Sequence, residues 1–187
     1  MKTVLFVPGF MEDYASRDYE TLLAGIGAKG YRTQFVPIAW RRTVIDDWVQ
    51  ELHEVYRTHN PKQTVLAGFS FGAMVALMAA SQRQPAALWL CSLSPFFAED
   101  MPDLKVTWLH DIGERRAARF RKLPFSAIVP KVDCPILLVG GANEVSRVAE
   151  RRNQAATAWP HAVACVAPDC AHDVTNAHYR QTLLEHI

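Results

Sequence analysis

A serine between two glycines marks a segment whose spacing indicates covalent chemistry. Residues 64–74 read Thr-Val-Leu-Ala-Gly-Phe-Ser-Phe-Gly-Ala-Met, so Gly68 to Gly72 match the pattern G-x-S-x-G around Ser70. An apolar run leads into the serine and small residues lead out, which is typical of a strand, a sharp turn and a helix. Such a turn holds the serine in strained backbone angles, and glycines on both sides avoid collisions across it. The pattern predicts that Ser70 is a nucleophile; an ordinary strand-to-helix turn is the alternative.

A serine hydroxyl is a weak nucleophile and needs a base within hydrogen-bond reach. His172 follows the last apolar run of the chain, in Ala-Pro-Asp-Cys-Ala-His-Asp, where it is expected at the same sheet edge as Ser70. Most other histidines lie in helical patterns or before a strand, and His110, in an irregular segment, is the rival. We therefore predict that His172 is the base; a solvated loop histidine is the alternative.

The base in turn needs a carboxylate that holds its tautomer. The apolar run from Pro135 ends in Gly-Gly-Ala-Asn-Glu, which puts Glu144 in a loop at the same edge and makes it the predicted acid. An ordinary surface glutamate is the common case. Four other carboxylates compete for the role: Glu99, Asp100, Asp169 and Asp173. The first two follow the strand after the nucleophile, whereas the last two lie very near His172 in sequence.

Two backbone amides are candidates for an oxyanion hole, the pair of donors that stabilises a negatively charged carbonyl oxygen. The amide of Phe71 stands at the start of the helix that follows Ser70, where unpaired N–H groups point outward. The first apolar run ends in Val-Pro-Gly-Phe, and Gly9 lets the backbone approach a site so that the amide of Phe10 can pair with that of Phe71. A simple Pro-Gly turn is the alternative for the first of these segments.

Short apolar runs alternate with amphipathic stretches along the chain, which predicts an α/β fold with right-handed crossovers. The predicted strands are 3–7, 32–37, 64–68, 87–93, 136–140 and 162–167. Most are apolar throughout, so we expect a mostly parallel sheet of about six strands with helices on both faces. The predicted helices are 16–28 with Ser16 as its cap, one capped by Thr43, 71–82, 146–158 and 173–186. Residues 95–135 are expected to hold one helix and loops.

The composition limits the function classes. The chain has 187 residues, half of them hydrophobic, and a formal net charge of +1, so a single domain over 1–187 is expected and nucleic acid or an anionic membrane is not favoured as a partner. No G-x-G-x-x-G or G-x-x-x-x-G-K-[ST] motif indicates a nucleotide site. The four cysteines form no CxxC pair and are expected to be reduced and buried. No apolar run suffices for a membrane span or a signal peptide, so we expect a cytoplasmic protein.

Together these segments resemble the α/β-hydrolase superfamily over nearly the whole chain. The likeness rests on the Pro8-Gly9-Phe10 turn, the Gly68–Gly72 turn, the strand ending in Gly-Ala-Asn-Glu144 and the Ala-His172-Asp loop. The order nucleophile, acid, histidine is the order of that superfamily. The chain departs from it in having Pro8 where histidine is common and Glu144 where aspartate is more usual. It also lacks the first antiparallel hairpin and has only a short segment where a cap domain is often inserted, so it resembles the small members without a cap.

The resemblance implies a serine hydrolase that cleaves carboxylic esters, thioesters or amides of a small-molecule acyl substrate through an acyl-enzyme, without cofactor or metal. A non-catalytic binding or interaction protein of the same fold is the alternative. Five phenylalanines are expected near the turn, either as an acyl pocket or as core: Phe10, Phe69, Phe71, Phe96 and Phe97. The arginine-rich stretch 115–122 suits either an acidic substrate, such as a coenzyme A thioester, or a solvated helix face. The acyl length and the oligomeric state stay open.

Overall fold

Six short strands form one sheet in the computed structural model, which describes residues 1–187. The strands are β1 (Thr3–Val7), β2 (Arg32–Phe35), β3 (Thr64–Phe69), β4 (Ala87–Cys91), β5 (Ile136–Gly141) and β6 (Val163–Ala167). All neighbouring strands are parallel, and their order across the sheet is β2-β1-β3-β4-β5-β6. The predicted parallel sheet of about six strands is confirmed, and the predicted ends differ from these by at most two residues.

Helices cover both faces of the sheet, as predicted. They are α1 (Tyr19–Ala28), α2 (Ile45–Tyr56), α3 (Phe71–Gln82), α4 (Val106–Ile112), α5 (Glu114–Phe120), α6 (Phe125–Ile128), α7 (Ser146–Ala158) and α8 (Ala177–Glu185). Three single 3-10 turns lie at Pro61–Gln63, Met101–Asp103 and Val129–Lys131. No helix has the length and the apolar character that crossing a membrane requires.

Alternate side chains of each strand enter two separate cores. On β1, Val4 and Phe6 pack with α1 and α8, whereas Leu5 and Val7 pack with α2 and α3 on the other face. The central strands β3 and β5 are buried along their whole length, which explains why their sequences are apolar throughout. Since all six strands point the same way, their carboxyl ends share one edge of the sheet.

The four cysteines are buried free thiols. Burial raises the pKa of Cys91 to about 12 and that of Cys134 to about 11. A thiol with so high a pKa carries almost no thiolate at neutral pH and is a poor nucleophile. The cysteines therefore serve as small apolar side chains of the core.

Three helix starts differ from the predicted ones because the side chains at the expected starts have other partners. Ser16 bonds Asp13, and Asp18 caps α1 instead by accepting from the Thr21 amide. Thr43 accepts from the Trp48 indole, and α2 begins at Ile45 behind Val44, one residue later than a Thr43 cap would place it. The last helix begins at Ala177 behind Asn176 and not at Asp173, since the Asp173 carboxylate accepts hydrogen bonds from Thr175.

The segment between β4 and β5 is more helical than predicted. Instead of one helix with loops it contains three short helices, α4, α5 and α6. Gly113, at φ 80°, separates α4 from α5, and Pro124 precedes α6. Each helix has seven residues or fewer, which is too short for helical periodicity to appear in the sequence. No large cap domain stands in this position, as the resemblance to the small members implies.

Candidate active site

Ser70 lies at a sharp turn between β3 and α3, with φ 57° and ψ −117°. Two close backbone approaches require its glycine neighbours. A Cβ on Gly68 would lie 2.2 Å from the carbonyl oxygen of Gly72, across the turn, as predicted. A Cβ on Gly72 would lie 2.3 Å from the carbonyl oxygen of Val7, so this glycine lets the end of β1 pass close to the turn. The strained serine therefore sits where three backbone segments meet.

A chain of hydrogen bonds joins Ser70, His172 and Glu144, which are far apart in sequence. The Nε2 atom of His172 lies 2.9 Å from the Ser70 Oγ, and its Nδ1 atom lies 3.1 Å from the Glu144 Oε1. An ionised carboxylate only accepts hydrogen bonds, so Nδ1 carries the imidazole proton and donates a hydrogen bond to Glu144. The free lone pair of Nε2 then accepts from the Ser70 hydroxyl.

Glu144 is an unusually enclosed carboxylate. Its side chain has 0% exposure, and its second oxygen, Oε2, has no hydrogen-bond partner. The Oε2 atom lies 2.8 Å from the point that a Gly140 Cβ would occupy, and Nη1 of Arg152 lies 2.6 Å from the same point. The absence of a side chain at Gly140 thus lets a carboxylate and a guanidinium both pack against β5.

The competing residues occupy other positions. Glu99 accepts from the amides of Phe125 and Ser126 at the start of α6, and Asp100 pairs with Arg151. The side chain of His110 is 90% exposed on α4 and contacts only its neighbour Asp111. Of the two aspartates near His172, Asp169 is exposed and Asp173 pairs with Arg17. The structure brings none of these residues into hydrogen-bond contact with Ser70 or with the imidazole of His172.

Ser94 makes a contact with the hydroxyl of Ser70 that the sequence analysis missed. The two Oγ atoms lie 3.0 Å apart, and both side chains are buried. Because Ser70 donates to His172, Ser94 must be the donor in this second bond. Ser94 comes three residues after β4, at the same sheet edge as Ser70, and this position in the sequence is a signal that could have identified it.

Phe10 and Phe71 both line the cavity into which Ser70 opens. Phe71 is the first residue of α3, so its N–H group has no partner within the helix. The amide of Phe10 has no acceptor in the protein, whereas the adjacent Gly9 amide donates to Glu12 at 3.1 Å. The two rings contact each other with centroids 5.2 Å apart. Both proposed donors are therefore unpaired and border the same space.

A network of charged side chains ties the Phe10 loop to the His172 loop, and the sequence analysis missed it. We call it the loop clamp: Glu12, Arg17, Tyr19 and Asp173. Glu12 accepts from Arg17 and from the Tyr19 hydroxyl, and Arg17 Nη1 lies 3.0 Å from Asp173 Oδ1. The Arg17 guanidinium also covers the ring of Phe69, which packs against the His172 imidazole at 4.7 Å.

The charges of the loop clamp stabilise one another. Burial acts to lower the pKa of Arg17, but the Glu12 hydrogen bond and the charges of Glu12 and Asp173 outweigh it and raise the pKa. Burial likewise acts to raise the pKa of Asp173, but hydrogen bonds from Thr175 and the charge of Arg17 lower it. At neutral pH Arg17 and Asp173 are therefore ionised, and their ion pair joins the two loops, whereas Tyr19, whose pKa is raised by burial, remains a neutral hydroxyl.

A cavity of about 350 Å³ opens beside Ser70 and His172, and we call it the acyl cavity. Its walls are mainly apolar: Phe10, Phe71, Pro95, Phe96, Trp108, Ile112, Val145 and Val148, with Ser94 and Asp111. Three of the five phenylalanines expected near the turn thus line it. The other two do not: Phe69 packs on His172, and Phe97 is buried against Phe125. Sequence analysis missed Trp108 and Ile112, which the short helix α4 supplies.

Comparisons with known proteins agree with this fold. A family model described as "Alpha/beta hydrolase family" matches residues 4–127. The fold is similar to that of Est1E from Butyrivibrio proteoclasticus, with a TM-score of 0.82, 15% identity, and coverage of 98% of this chain and 84% of that chain. A structure of Est1E with ferulic acid bound gives a TM-score of 0.83 at 14% identity, with coverage of 99% of this chain and 86% of that chain. The thioesterase domain from the curacin biosynthetic pathway gives a TM-score of 0.68 at 15% identity, with coverage of 98% of this chain and 90% of that chain. A search of curated protein sequences found no match.

Proposed function

Because the chain belongs to the alpha/beta hydrolase family, we propose that it is a serine hydrolase that cleaves a carboxylic ester or thioester through an acyl-enzyme on Ser70. The observation that carries the proposal is the hydrogen-bond chain from the Ser70 hydroxyl through His172 to the buried Glu144. Retention of all three groups in bonding contact argues against a binding protein that has lost its catalytic role.

In the proposed mechanism, the Ser70 oxygen attacks the carbonyl carbon while His172 Nε2 takes the hydroxyl proton. The carbonyl π electrons move to the oxygen, and the amides of Phe10 and Phe71 stabilise the resulting oxyanion. When the tetrahedral intermediate collapses, the bond to the leaving group breaks and the leaving group takes the proton from Nε2. Glu144 stabilises the imidazolium that exists between these two steps and keeps the ring in position.

Hydrolysis of the acyl-enzyme repeats the sequence with water. His172 takes a proton from the water as its oxygen attacks the acyl carbon, and the proton then passes to the Ser70 oxygen as the ester bond breaks. Ser94, which donates to the resting Ser70 hydroxyl, helps to hold that oxygen toward the cavity.

The acyl cavity supports a compact apolar acyl group as substrate. A volume of about 350 Å³ is at the lower end of the range of small-molecule sites, and its aromatic walls suit an aryl or medium-length alkyl chain. Among proteins of similar fold, Est1E has been seen with ferulic acid, an aromatic acid, and the curacin protein is a thioesterase. Both are compatible with an acyl group of this size.

The test is covalent labelling with a fluorophosphonate, together with turnover of phenyl hexanoate. We expect the wild type to be labelled and Ser70→Ala to be unlabelled, with turnover reduced by about 10³-fold or more. Ser81→Ala, on the helix that follows Ser70 and with its hydroxyl bonded to the Met78 carbonyl, is the matched control and should behave as wild type. Folded wild-type protein that neither reacts with the label nor turns over any acyl ester would instead support the non-catalytic binding protein.

A further inference from the structure

Four arginines converge beside the acyl cavity from two separate segments. Arg41 and Arg42 follow β2, and Arg115 and Arg116 lie on α5. Arg115 donates to the carbonyl oxygen of Arg42 at 3.0 Å. Arg116 donates to three carbonyl oxygens, those of Trp40, Thr43 and Ile112. These bonds hold the two segments together and fix Arg116 in place without neutralising its charge.

Neighbouring arginines of α5 and its end differ in this respect. Arg119 pairs with Asp46, and Arg121 pairs with Glu114. The four converging arginines have no carboxylate oxygen within 4.0 Å. Burial and the charge of Arg115 lower the pKa of Arg116, as expected where positive charges gather without a counter-ion. In a chain with a formal net charge of only +1, this is a local excess of positive charge.

A second cavity, of about 380 Å³, receives this charge. Its walls are Phe10, Met11, Arg41, Arg42, Asp111 and Arg116. Phe10 and Asp111 also line the acyl cavity, so the two spaces adjoin. Three guanidinium groups but only one carboxylate, that of Asp111, line the second cavity. The Asp111 side chain is 75% exposed to solvent.

We propose that the second cavity binds an anionic group of the substrate, a carboxylate or a phosphate attached a few bonds from the scissile carbonyl. This inference rests on the proposed function and names its substrate class: an ester or thioester that is apolar on one side of the carbonyl and anionic on the other. Phe10 links the two spaces, because it lines both cavities, its amide is unpaired, and the Arg116 guanidinium lies 5.1 Å from its ring centroid. Guanidinium groups bind carboxylates and phosphates through paired hydrogen bonds.

Matched esters test the proposal and locate the anion. Para-carboxyphenyl hexanoate and its neutral analogue para-carbamoylphenyl hexanoate differ in charge on the leaving group. Phenyl hydrogen adipate and phenyl adipamate differ in charge on the acyl group. We expect the anionic member of one pair to have a kcat/KM at least about tenfold higher, a difference that shrinks with added salt. The pair that shows it identifies which side of the carbonyl carries the anion, and equal values in both pairs would overturn the proposal.

Variants then link the preference to the arginines. The double variant Arg41→Gln, Arg42→Gln should reduce the anionic-to-neutral ratio about tenfold, since both side chains line the cavity. Arg121→Gln, which removes an arginine already paired with Glu114, is the matched control and should keep the ratio. A ratio that persists in the double variant, or falls equally in the control, would contradict the assignment.

Equilibrium binding of the same esters to Ser70→Ala separates this proposal from the catalytic one. This variant lacks the nucleophile, so the dissociation constants report recognition alone. A tenfold preference for an anionic ester by Ser70→Ala, with no turnover by wild type, would retain the anion site and reject the hydrolase. Turnover of all four esters without a preference in rate or in binding would retain the hydrolase and reject the anion site.

Discussion

The two walls of the acyl cavity come from segments that fold for different reasons. The wall that carries Ser70, His172 and Glu144 consists of turns at the ends of strands, where buried parallel β-structure fixes the backbone. The opposite wall carries Phe96, Trp108 and Ile112 and belongs to the helical segment between β4 and β5, which pairs with no strand.

The difference lies in how each wall is held in place. Strand ends can shift little without breaking the sheet, so their loops suit groups that must meet within hydrogen-bond distance. The short helices α4 and α5 are held by apolar contacts and by arginine-to-carbonyl bonds, which tolerate substitution more readily. We therefore expect changes in the first wall to alter the rate of the reaction and changes in the second wall to alter the choice of substrate.

Among the variants that test this comparison, replacement of Glu144 should cause the largest loss of rate. Glu144→Gln removes the negative charge that faces His172 Nδ1, so the imidazole loses its preferred tautomer and the imidazolium its stabilisation. We expect kcat for phenyl hexanoate to fall about 10³-fold. Glu144→Asp keeps the charge on a shorter side chain and should recover part of the loss. Stopped-flow release of phenol measures both.

Glu99→Gln is the control for that prediction, because Glu99 was the competing acid and caps α6 instead of contacting His172. It should retain nearly the full rate, and its thermal midpoint should fall slightly because the cap of α6 is weakened. A loss in Glu99→Gln equal to that in Glu144→Gln, in folded protein, would show that the acid has been assigned to the wrong residue.

Substitutions in the loop clamp should have the next largest effect, and they test whether the Phe10 loop and the His172 loop act together. Arg17→Gln removes the bonds to Glu12 and Asp173 and the cover over Phe69. We expect kcat to fall about tenfold with little change in KM, because the alignment of His172 with the Phe10 amide is lost while the acyl cavity stays intact.

A double-mutant cycle with Asp173→Asn distinguishes positioning from general destabilisation. If the clamp acts through the Arg17–Asp173 pair, the double variant should lose little more kcat than Arg17→Gln alone. Arg57→Gln removes an exposed pair with Glu54 far along α2 and should leave kcat unchanged. Independent, multiplying losses in the cycle would mean that the two residues do not act as a unit.

The same contrast explains what the sequence could predict. Ser70, His172 and Glu144 were identifiable because each follows an apolar strand, and parallel strands bring their carboxyl ends to one edge. Phe10, which follows β1, was expected at this edge for the same reason, and it lines the cavity there. The rest of the cavity was not, because Trp108 and Ile112 lie on a helix of seven residues, which carries no periodic signal. The loop clamp was missed because its charges lie in loops, where the sequence does not reveal which residues will meet.

The smallest effect should come from the helical wall, at Trp108. Its ring lines the acyl cavity and lies 6.2 Å from the ring of Phe96, so Trp108→Ala should lengthen the cavity without touching the hydrogen-bond chain. We expect the ratio of kcat/KM for phenyl decanoate over phenyl butyrate to rise about fivefold, which corresponds to about 1 kcal/mol, the contribution of one further methylene placed in an apolar pocket. Val106 lies on the same helix and is 81% exposed, so Val106→Ala should leave the ratio unchanged. If Trp108→Ala instead lowered kcat equally for both esters, α4 would act on the rate like the wall that carries Ser70. The division between rate and substrate choice would then not hold.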